Sequence, residues 1–256
     1  MADGAKIDPM HQFTIEPLVP LHIGGVDVSF TNSSAWMLIT LALIFVFVLL
    51  GLKRDLIPGR WQMAVESMTS FVDNMVQVNI GPEGKPYVPL IFSLFMFILV
   101  SNVLGLLPIA IIPGLHAFTT TSQFSITGVL AVMSFATVLV VGFWRHGFHF
   151  FSLFVPHGTP TPMVPLIAAI EFISFMVRPF SLALRLFVAM IAGHILMEVF
   201  ASFIVSGSGP MGFGVGVLSF LFIVFVVALE LLMCAIQAYV FALLTTLYLS
   251  DAVHLH

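Results

Sequence analysis

The stretch Ser181-Leu-Ala-Leu-Arg185-Leu-Phe-Val-Ala-Met-Ile-Ala-Gly-His194 carries a guanidinium, that of Arg185, inside one of the most apolar segments of the chain. Arginine keeps its proton at any working pH. A charge at the centre of a membrane-spanning helix costs roughly 2.5–3.5 kcal/mol on insertion scales, and such residues mark functional sites or have partners. Arg185 is therefore the first candidate functional residue.

Charged residues around this stretch follow a helical spacing. Glu171, Arg178 and Arg185 are seven residues apart. At about 100° per residue they drift by only about 40° around a helix, so they form one polar stripe. His194 and Glu198 fall on the opposite face. The segment thus predicts one helix with two ionisable faces that are displaced along its axis.

Composition defines the class of protein. Of 256 residues, 60% are hydrophobic and only 8% are charged, whereas a soluble domain carries about 25% charged residues. We therefore predict a polytopic membrane protein. The net charge of −4 argues against nucleic-acid binding. The single cysteine, Cys234, excludes an intramolecular disulfide framework, and without a phosphate-binding loop or a metal-ligand cluster we expect no cofactor.

The chain divides into two unequal parts. Residues 1–30 are rich in Asp and Glu, so we interpret them as an extramembrane N-terminal segment that can hold a short packed element. Residues 31–256 form the integral membrane domain. Three apolar runs in this domain are each long enough to cross a membrane, at residues 35–52, 88–112 and 124–144.

Residues 60–80 have the pattern of an amphipathic helix. Apolar residues recur three or four positions apart from Trp61 to Met75, opposite polar residues such as Glu66 and Asp73. Such a helix lies at a membrane surface. Pro and Gly then predict a loop over residues 81–86.

Two longer apolar segments follow, at residues 166–206 and 213–250. Each would reach about 60 Å as one helix, against a hydrocarbon core of about 30 Å. We predict an antiparallel hairpin of two long, strongly tilted helices that turns at residues 206–212. The predicted fold is all-α: this hairpin packed on three further spans, with one surface amphipathic helix.

Basic residues predict the orientation. All Lys and Arg residues between positions 31 and 163 lie at loops that the three predicted spans place on one side of the membrane. The loop at residues 114–123, on the other side, has no Lys or Arg. By the positive-inside rule, the N-terminus is outside and the C-terminus is cytoplasmic. The basic residues that carry this prediction are Lys53, Arg54, Arg60, Lys85 and Arg145.

The second long helix adds two polar residues on one face, Glu230 and Gln237. In an antiparallel hairpin, Glu230 comes within reach of His194. A neutral imidazole beside a carboxylic acid can pass protons, because both groups can titrate near neutral pH once burial raises the pKa of the carboxyl. A buried structural His–Glu pair is the alternative, and the spacing does not distinguish the two.

Arg185 has no carboxylate on its own face that is not already paired. Glu171 and Arg178 can form an ion pair with each other, which leaves Arg185 without an acidic partner in this chain. We infer that its partner carboxylate is on another subunit. A moving partner would lose its proton as it approaches Arg185, and the same charge would bar proton flow past that point.

With these residues identified, the chain from about residue 35 onward resembles subunit a of the F-type ATP synthase membrane sector. The specific motifs are Ser181-Leu-Ala-Leu-Arg185-Leu-Phe, Ala192-Gly-His194, Glu230 with Gln237 seven residues on, and the terminal Tyr-Leu-Ser-Asp251. The run Asn102-Val-Leu-Gly-Leu-Leu-Pro108 also looks like the family's second span.

The resemblance implies a non-catalytic stator subunit that couples proton flow to rotation through two offset half-channels. It implies that Arg185 faces a rotating ring of c subunits and that His194 and Glu230 form the outer access pair. Gln237 matches the family's glutamine near the arginine. Glu171 matches a polar position toward the cytoplasmic exit, as does Arg178.

The same resemblance implies the surroundings. The expected partners are the c-ring, b-type subunits of the peripheral stalk, other ATP synthase subunits, the lipid bilayer and the transported H⁺. The expected location is the bacterial cell inner membrane, with the mitochondrial inner membrane as the alternative. Glu198 and Asn102 are supporting polar residues. One departure is Ala189, where many relatives have Asn.

Two other functions are compatible with a membrane arginine. A secondary transporter could use Arg185 to bind an anionic substrate, but it would typically show paired broken spans in corresponding halves, which this sequence lacks. A structural anchoring subunit would use its charges only to hold partners. For the ion itself, His194 and Glu230 favour H⁺ over Na⁺.

Overall fold

The computed structural model describes residues 17–20, 22–23, 26–27, 29–52, 59–107, 119–154, 163–206 and 209–254. Within these residues, five helical segments are long and apolar enough to cross a membrane, and the predicted all-α class is confirmed. The helices are α1 (Asn32–Gly51), α2 (Arg60–Ile80), α3 (Val88–Leu106), α4 (Phe124–His146), α5 (Val164–Ser206) and α6 (Gly209–Val253).

The N-terminal segment contains short strands, as its prediction allowed. β1 (Pro17–Val19) pairs antiparallel with β4 (Phe30–Thr31), and β2 (His22–Ile23) pairs antiparallel with β3 (Val26–Asp27). β4 runs directly into α1, where the Thr31 hydroxyl accepts from the Ser34 amide at 3.4 Å. This side-chain bond satisfies one of the free amides at the start of the helix. The domain boundary at residue 30 stays a prediction.

The amphipathic helix α2 has the predicted bounds. Its apolar face is buried through Val65, Val72 and Met75. Trp61 is mostly exposed, but its ring packs edge-on against Phe47 of α1 at 6.2 Å between centroids. The face of α2 that the sequence predicts as apolar therefore packs on the other helices, and its position at a membrane surface stays a prediction.

Two predictions differ from the structure, one on the type of an element and one on where a helix ends. Residues 81–87, predicted as a loop from residue 81 to 86, form a 3-10 helix. α3 ends at Leu106 instead of residue 112, because Leu107 takes an extended backbone (φ −67°, ψ 132°) ahead of Pro108. A proline disfavours helical geometry in the residue before it. Residues 108–118 lie outside the described residues.

Among the described residues, α5 and α6 form the most extensive helix–helix interface. Their contacts run in opposite order along the two helices, so the helices are antiparallel. Phe200 stacks on Phe222 at 5.2 Å, His194 meets Glu230, and Arg178 meets Asp251. The strong tilt and the hairpin turn stay predictions. Residues 207 and 208 lie outside the described residues.

The core lies between α2, α3, α4 and the α5–α6 pair. Close van der Waals packing of apolar side chains stabilises this core, because lipid tails are as apolar as these side chains and their burial away from lipid gains little hydrophobic free energy. Its most deeply buried members include Val72, Val76, Ile91, Ile98, Val138, Leu186 and Phe241.

Polar contacts tie one end of the bundle together. The Ser250 hydroxyl of α6 donates to the Asn79 carbonyl of α2 at 2.7 Å. His146 Nε2, at the end of α4, lies 3.2 Å from the Val253 carbonyl oxygen. Arg145 pairs with Glu83 of the 3-10 segment. We call these three contacts the basal links.

Candidate functional site

His194 and Glu230 are in contact, as the antiparallel spacing predicts. His194 Nδ1 lies 2.6 Å from Glu230 Oε1, and only 7% and 3% of the two side chains are exposed. Gly193 makes this approach possible, because a Cβ at that position would lie 2.7 Å from the Glu230 carboxyl. The helix pair therefore encloses an acid and a base at hydrogen-bond distance.

The His194 ring is held on both sides. Its Nδ1 also lies 3.0 Å from the Met190 carbonyl oxygen of the preceding turn. Its Nε2 lies 2.9 Å from the Thr119 hydroxyl and 3.3 Å from the Gly105 carbonyl oxygen. These contacts fix the orientation of the imidazole relative to Glu230.

A threonine-rich turn closes over this pair. Thr119 precedes a 3-10 turn at Thr120–Ser122, and the hydroxyl residues of this segment are buried. The Thr121 hydroxyl donates to Asn102 Oδ1 of α3 at 2.5 Å, and Asn102 is fully buried. Asn102, predicted as a supporting polar residue, thus lies in the same corner of the bundle as His194.

A second cluster surrounds Arg178, farther along the same helix pair. Arg178 Nη1 donates to Asp251 Oδ2 at 3.0 Å, and Nη2 lies 3.9 Å from Glu171 Oε1. The guanidinium carbon lies 4.9 Å from the centre of the Tyr248 ring and 5.5 Å from that of Phe175. The predicted Glu171–Arg178 pair is present, but Asp251 is the closer acid.

Arg185 lies between these two groups along α5 and is exposed. Within the described residues it makes no ion pair and no hydrogen bond. Gln237 lies between Glu230 and Asp251 along α6 and is buried. Glu198, one turn beyond His194, is partly buried. The helix pair therefore carries a sealed acid–base pair, an outward-facing cation and a half-exposed ionic cluster, in that order.

Sequence reasoning missed two contributors, Thr119 and Asp251. Asp251 had a signal: it continues the seven-residue spacing of Glu230 and Gln237, two heptads later. Thr119 had none, because its contact with His194 joins segments 75 positions apart. Within the described part of the chain, no three His, Cys, Asp or Glu residues converge as metal ligands would.

Comparison with known proteins gives a consistent result. The family model described as ATP synthase A chain matches residues 34–250. The chain is 59% identical to the ATP synthase subunit a of Rhizorhabdus wittichii and 60% identical to that of Erythrobacter litoralis, each over 100% of this chain and 99% of the relative. It is 46% identical to the ATP synthase subunit a of Agrobacterium fabrum, over 96% of this chain and 98% of the relative.

Proposed function

This chain belongs to the ATP synthase A chain family, and from that premise we propose that it is the proton-translocating stator subunit of an F-type ATP synthase. As a family member it is a multi-pass component of the membrane sector, with other ATP synthase subunits as its partners. The finer proposal is that two offset half-channels on this subunit deliver protons to, and collect them from, a rotating ring of c subunits.

The observation that carries the proposal is the exposure of Arg185 without an acidic partner. Its side chain faces outward from α5, and within the described residues no acid pairs with it. A permanent charge directed out of an apolar helix needs a counter-charge or water. A carboxylate on each passing c subunit supplies that counter-charge in turn.

The sealed pair supports the proton entry path. His194 and Glu230 lie at 2.6 Å and are shielded from solvent. A proton taken up by the imidazole passes to the carboxylate, and Gln237 lies farther along α6 toward the level of Arg185. The proton then neutralises a ring carboxylate, which can move into lipid because it no longer carries a charge.

The half-exposed cluster supports the exit path. After nearly a full turn, the ring carboxylate gives its proton to water near Glu171, whose side chain is 38% exposed. Each charge that crosses is worth about 2.3 kcal/mol per 100 mV. A continuous aqueous path would lose that energy as leak, and Arg185 is the electrostatic barrier between the two half-channels.

The proposal also assigns an orientation. The end with Thr119, His194 and Glu230 faces outside, and the end with the basal links faces the cytoplasm, in keeping with the basic residues of its loops. The N-terminus is then outside and the C-terminus is cytoplasmic. The complex lies in a bacterial inner membrane and contains the c-ring and b-type stalk subunits.

The direct test replaces Arg185 by Ala in the assembled complex. We expect Arg185→Ala to abolish ATP-driven proton pumping in inverted membrane vesicles while the c-ring still assembles, because the barrier and the counter-charge are both lost. Quenching of a pH-sensitive dye measures pumping, and immunoblotting of the membranes measures assembly.

Arg178→Ala is the matched control, since it removes an arginine from the same helix that Asp251 already neutralises. We expect it to retain measurable pumping. Normal pumping in Arg185→Ala would refute the proposed function. Loss of assembly in that variant, with coupling intact in whatever assembles, would favour a purely structural subunit.

A further inference from the structure

The Thr119 hydroxyl is the starting point of a second inference. It lies 2.9 Å from His194 Nε2, in the segment that the sequence predicts as a loop at residues 114–123. A second neighbour of Nε2 is the Gly105 carbonyl oxygen, at 3.3 Å. Nδ1, on the opposite side of the ring, faces Glu230 and the Met190 carbonyl oxygen.

The two neighbours of Nε2 differ in what they can do. A carbonyl oxygen only accepts a hydrogen bond, so Gly105 can bond Nε2 only when that nitrogen carries a proton. A hydroxyl can accept or donate. When Nε2 is bare, Thr119 can donate to it, and when Nε2 is protonated, Thr119 can accept from it. Of these two groups, only Thr119 can stay bonded in both states.

The fold holds this hydroxyl in place. Thr119 is 3% exposed, and its carbonyl accepts from the Ser122 amide at 3.0 Å and from the Ser122 hydroxyl at 2.6 Å. A Cβ at position 105 would lie 1.9 Å from the Thr119 hydroxyl oxygen, so only glycine lets the turn approach α3 this closely. The contact with His194 is therefore built by three segments: α3, the turn and α5.

We propose that Thr119 is a positioning residue of the outer proton path, acting through His194. Uptake forms the Nε2–H bond with a proton from water on the outer side, and the Thr119 hydroxyl turns from donor to acceptor. The ring keeps its place beside Glu230 while its charge changes. This proposal rests on the proposed function, since it assigns a role within the same site.

The test compares Thr119→Val, which removes the hydroxyl at similar volume, with Thr119→Ser, which keeps it. In inverted vesicles of the assembled complex, we expect Thr119→Val to lower the initial rate of ATP-driven proton pumping by about tenfold, the factor that corresponds to one lost hydrogen bond. Thr119→Ser should retain at least about half of the normal value, because it restores the same bond.

Thr120→Val is the matched control. Thr120 is adjacent and 1% exposed, and its hydroxyl has no hydrogen-bond partner among the described residues. Its replacement should leave pumping unchanged, because removing an unsatisfied buried hydroxyl breaks no bond. If Thr119→Val fails to assemble, Thr119→Ala removes the same hydroxyl without the branched bulk.

The outcomes separate the two proposals. Normal pumping in an assembled Thr119→Val or Thr119→Ala complex, or an equal loss in Thr119→Ser, would overturn the role of Thr119. Arg185→Ala in the same vesicles tests the proposed function itself. If that variant also pumps normally, the proposed function fails, whereas loss of pumping in Arg185→Ala beside normal pumping in Thr119→Val removes only the role of Thr119.

Discussion

The two ionic groups of the α5–α6 pair differ in how they are covered. His194 and Glu230 are nearly sealed, because α3 and the threonine-rich turn close over them. Glu171, Arg178 and Asp251 are 38%, 22% and 44% exposed, and the rings of Phe175 and Tyr248 lie over the arginine. One helix pair thus carries a buried site and a partly exposed site, and α3 and the threonine-rich turn account for the burial of the first.

This difference has an energetic meaning. Leaving a buried polar group without its partner costs roughly 1–3 kcal/mol, and more when the group is charged. Exposed ion pairs contribute about 0–1 kcal/mol, since water and salt screen them. Changes in the sealed pair should therefore have large effects, and changes in the exposed cluster should have graded ones.

The sharpest comparison is Glu230→Gln against Glu171→Gln. We expect Glu230→Gln to lower passive proton uptake through the membrane sector at least about tenfold, because it leaves His194 beside a group that cannot take its proton. Glu171→Gln should lower uptake by about threefold at most, since Asp251 and water remain nearby. Proton uptake into vesicles with the catalytic sector removed measures both variants. Comparable losses would contradict the distinction between the buried pair and the exposed cluster.

A smaller effect concerns the two acids that share Arg178. Asp251→Asn alone should lower ATP-driven pumping by about twofold to threefold, because Glu171 can take over part of the pairing. With Glu171→Gln added, Arg178 loses both acids, and the combined loss should exceed the product of the single losses. A double-mutant cycle on pumping rates measures this coupling, expected at about 0.5–1 kcal/mol. A combined loss equal to the product of the two single losses would show that the two acids act independently.

The smallest expected effect is that of the aromatic ring over Arg178. Tyr248→Leu removes a cation–π contact worth about 0.5 kcal/mol, the lower end for exposed sites, so pumping should fall by about twofold at most. Tyr248→Phe keeps the ring and should pump normally, which makes it the control. A loss in Tyr248→Phe as large as in Tyr248→Leu would assign the effect to the hydroxyl instead.

Local patterns predicted most of the fold. The bounds of α2 agree with the amphipathic period, and the two long helices extend only a few residues beyond their predicted ends. Periodicity and apolar length are properties of neighbouring residues, so a sequence displays them directly. The predicted end of α3, at residue 112, was wrong. The apolar run continues through Pro108, but a proline disfavours helical geometry in the residue before it, so Leu107 is already extended.

The site was only partly predictable for the same reason. His194 and Glu230 could be paired because one antiparallel interface relates them. Thr119 meets His194 through a third segment whose packing no local pattern encodes. Asp251 lay on a visible heptad, but its distance from Arg178 depends on the relative position of the two helices.

The basal links have a mechanical consequence. They join α2, the 3-10 segment after it, α4 and α6 at one end of the molecule. The pairs are Ser250 with Asn79, His146 with Val253, and Arg145 with Glu83. In the proposed function, this subunit stands beside a turning ring and receives a sideways force at every step. The basal links would distribute that force over several helices, so that α6 and the charges it carries hold their position.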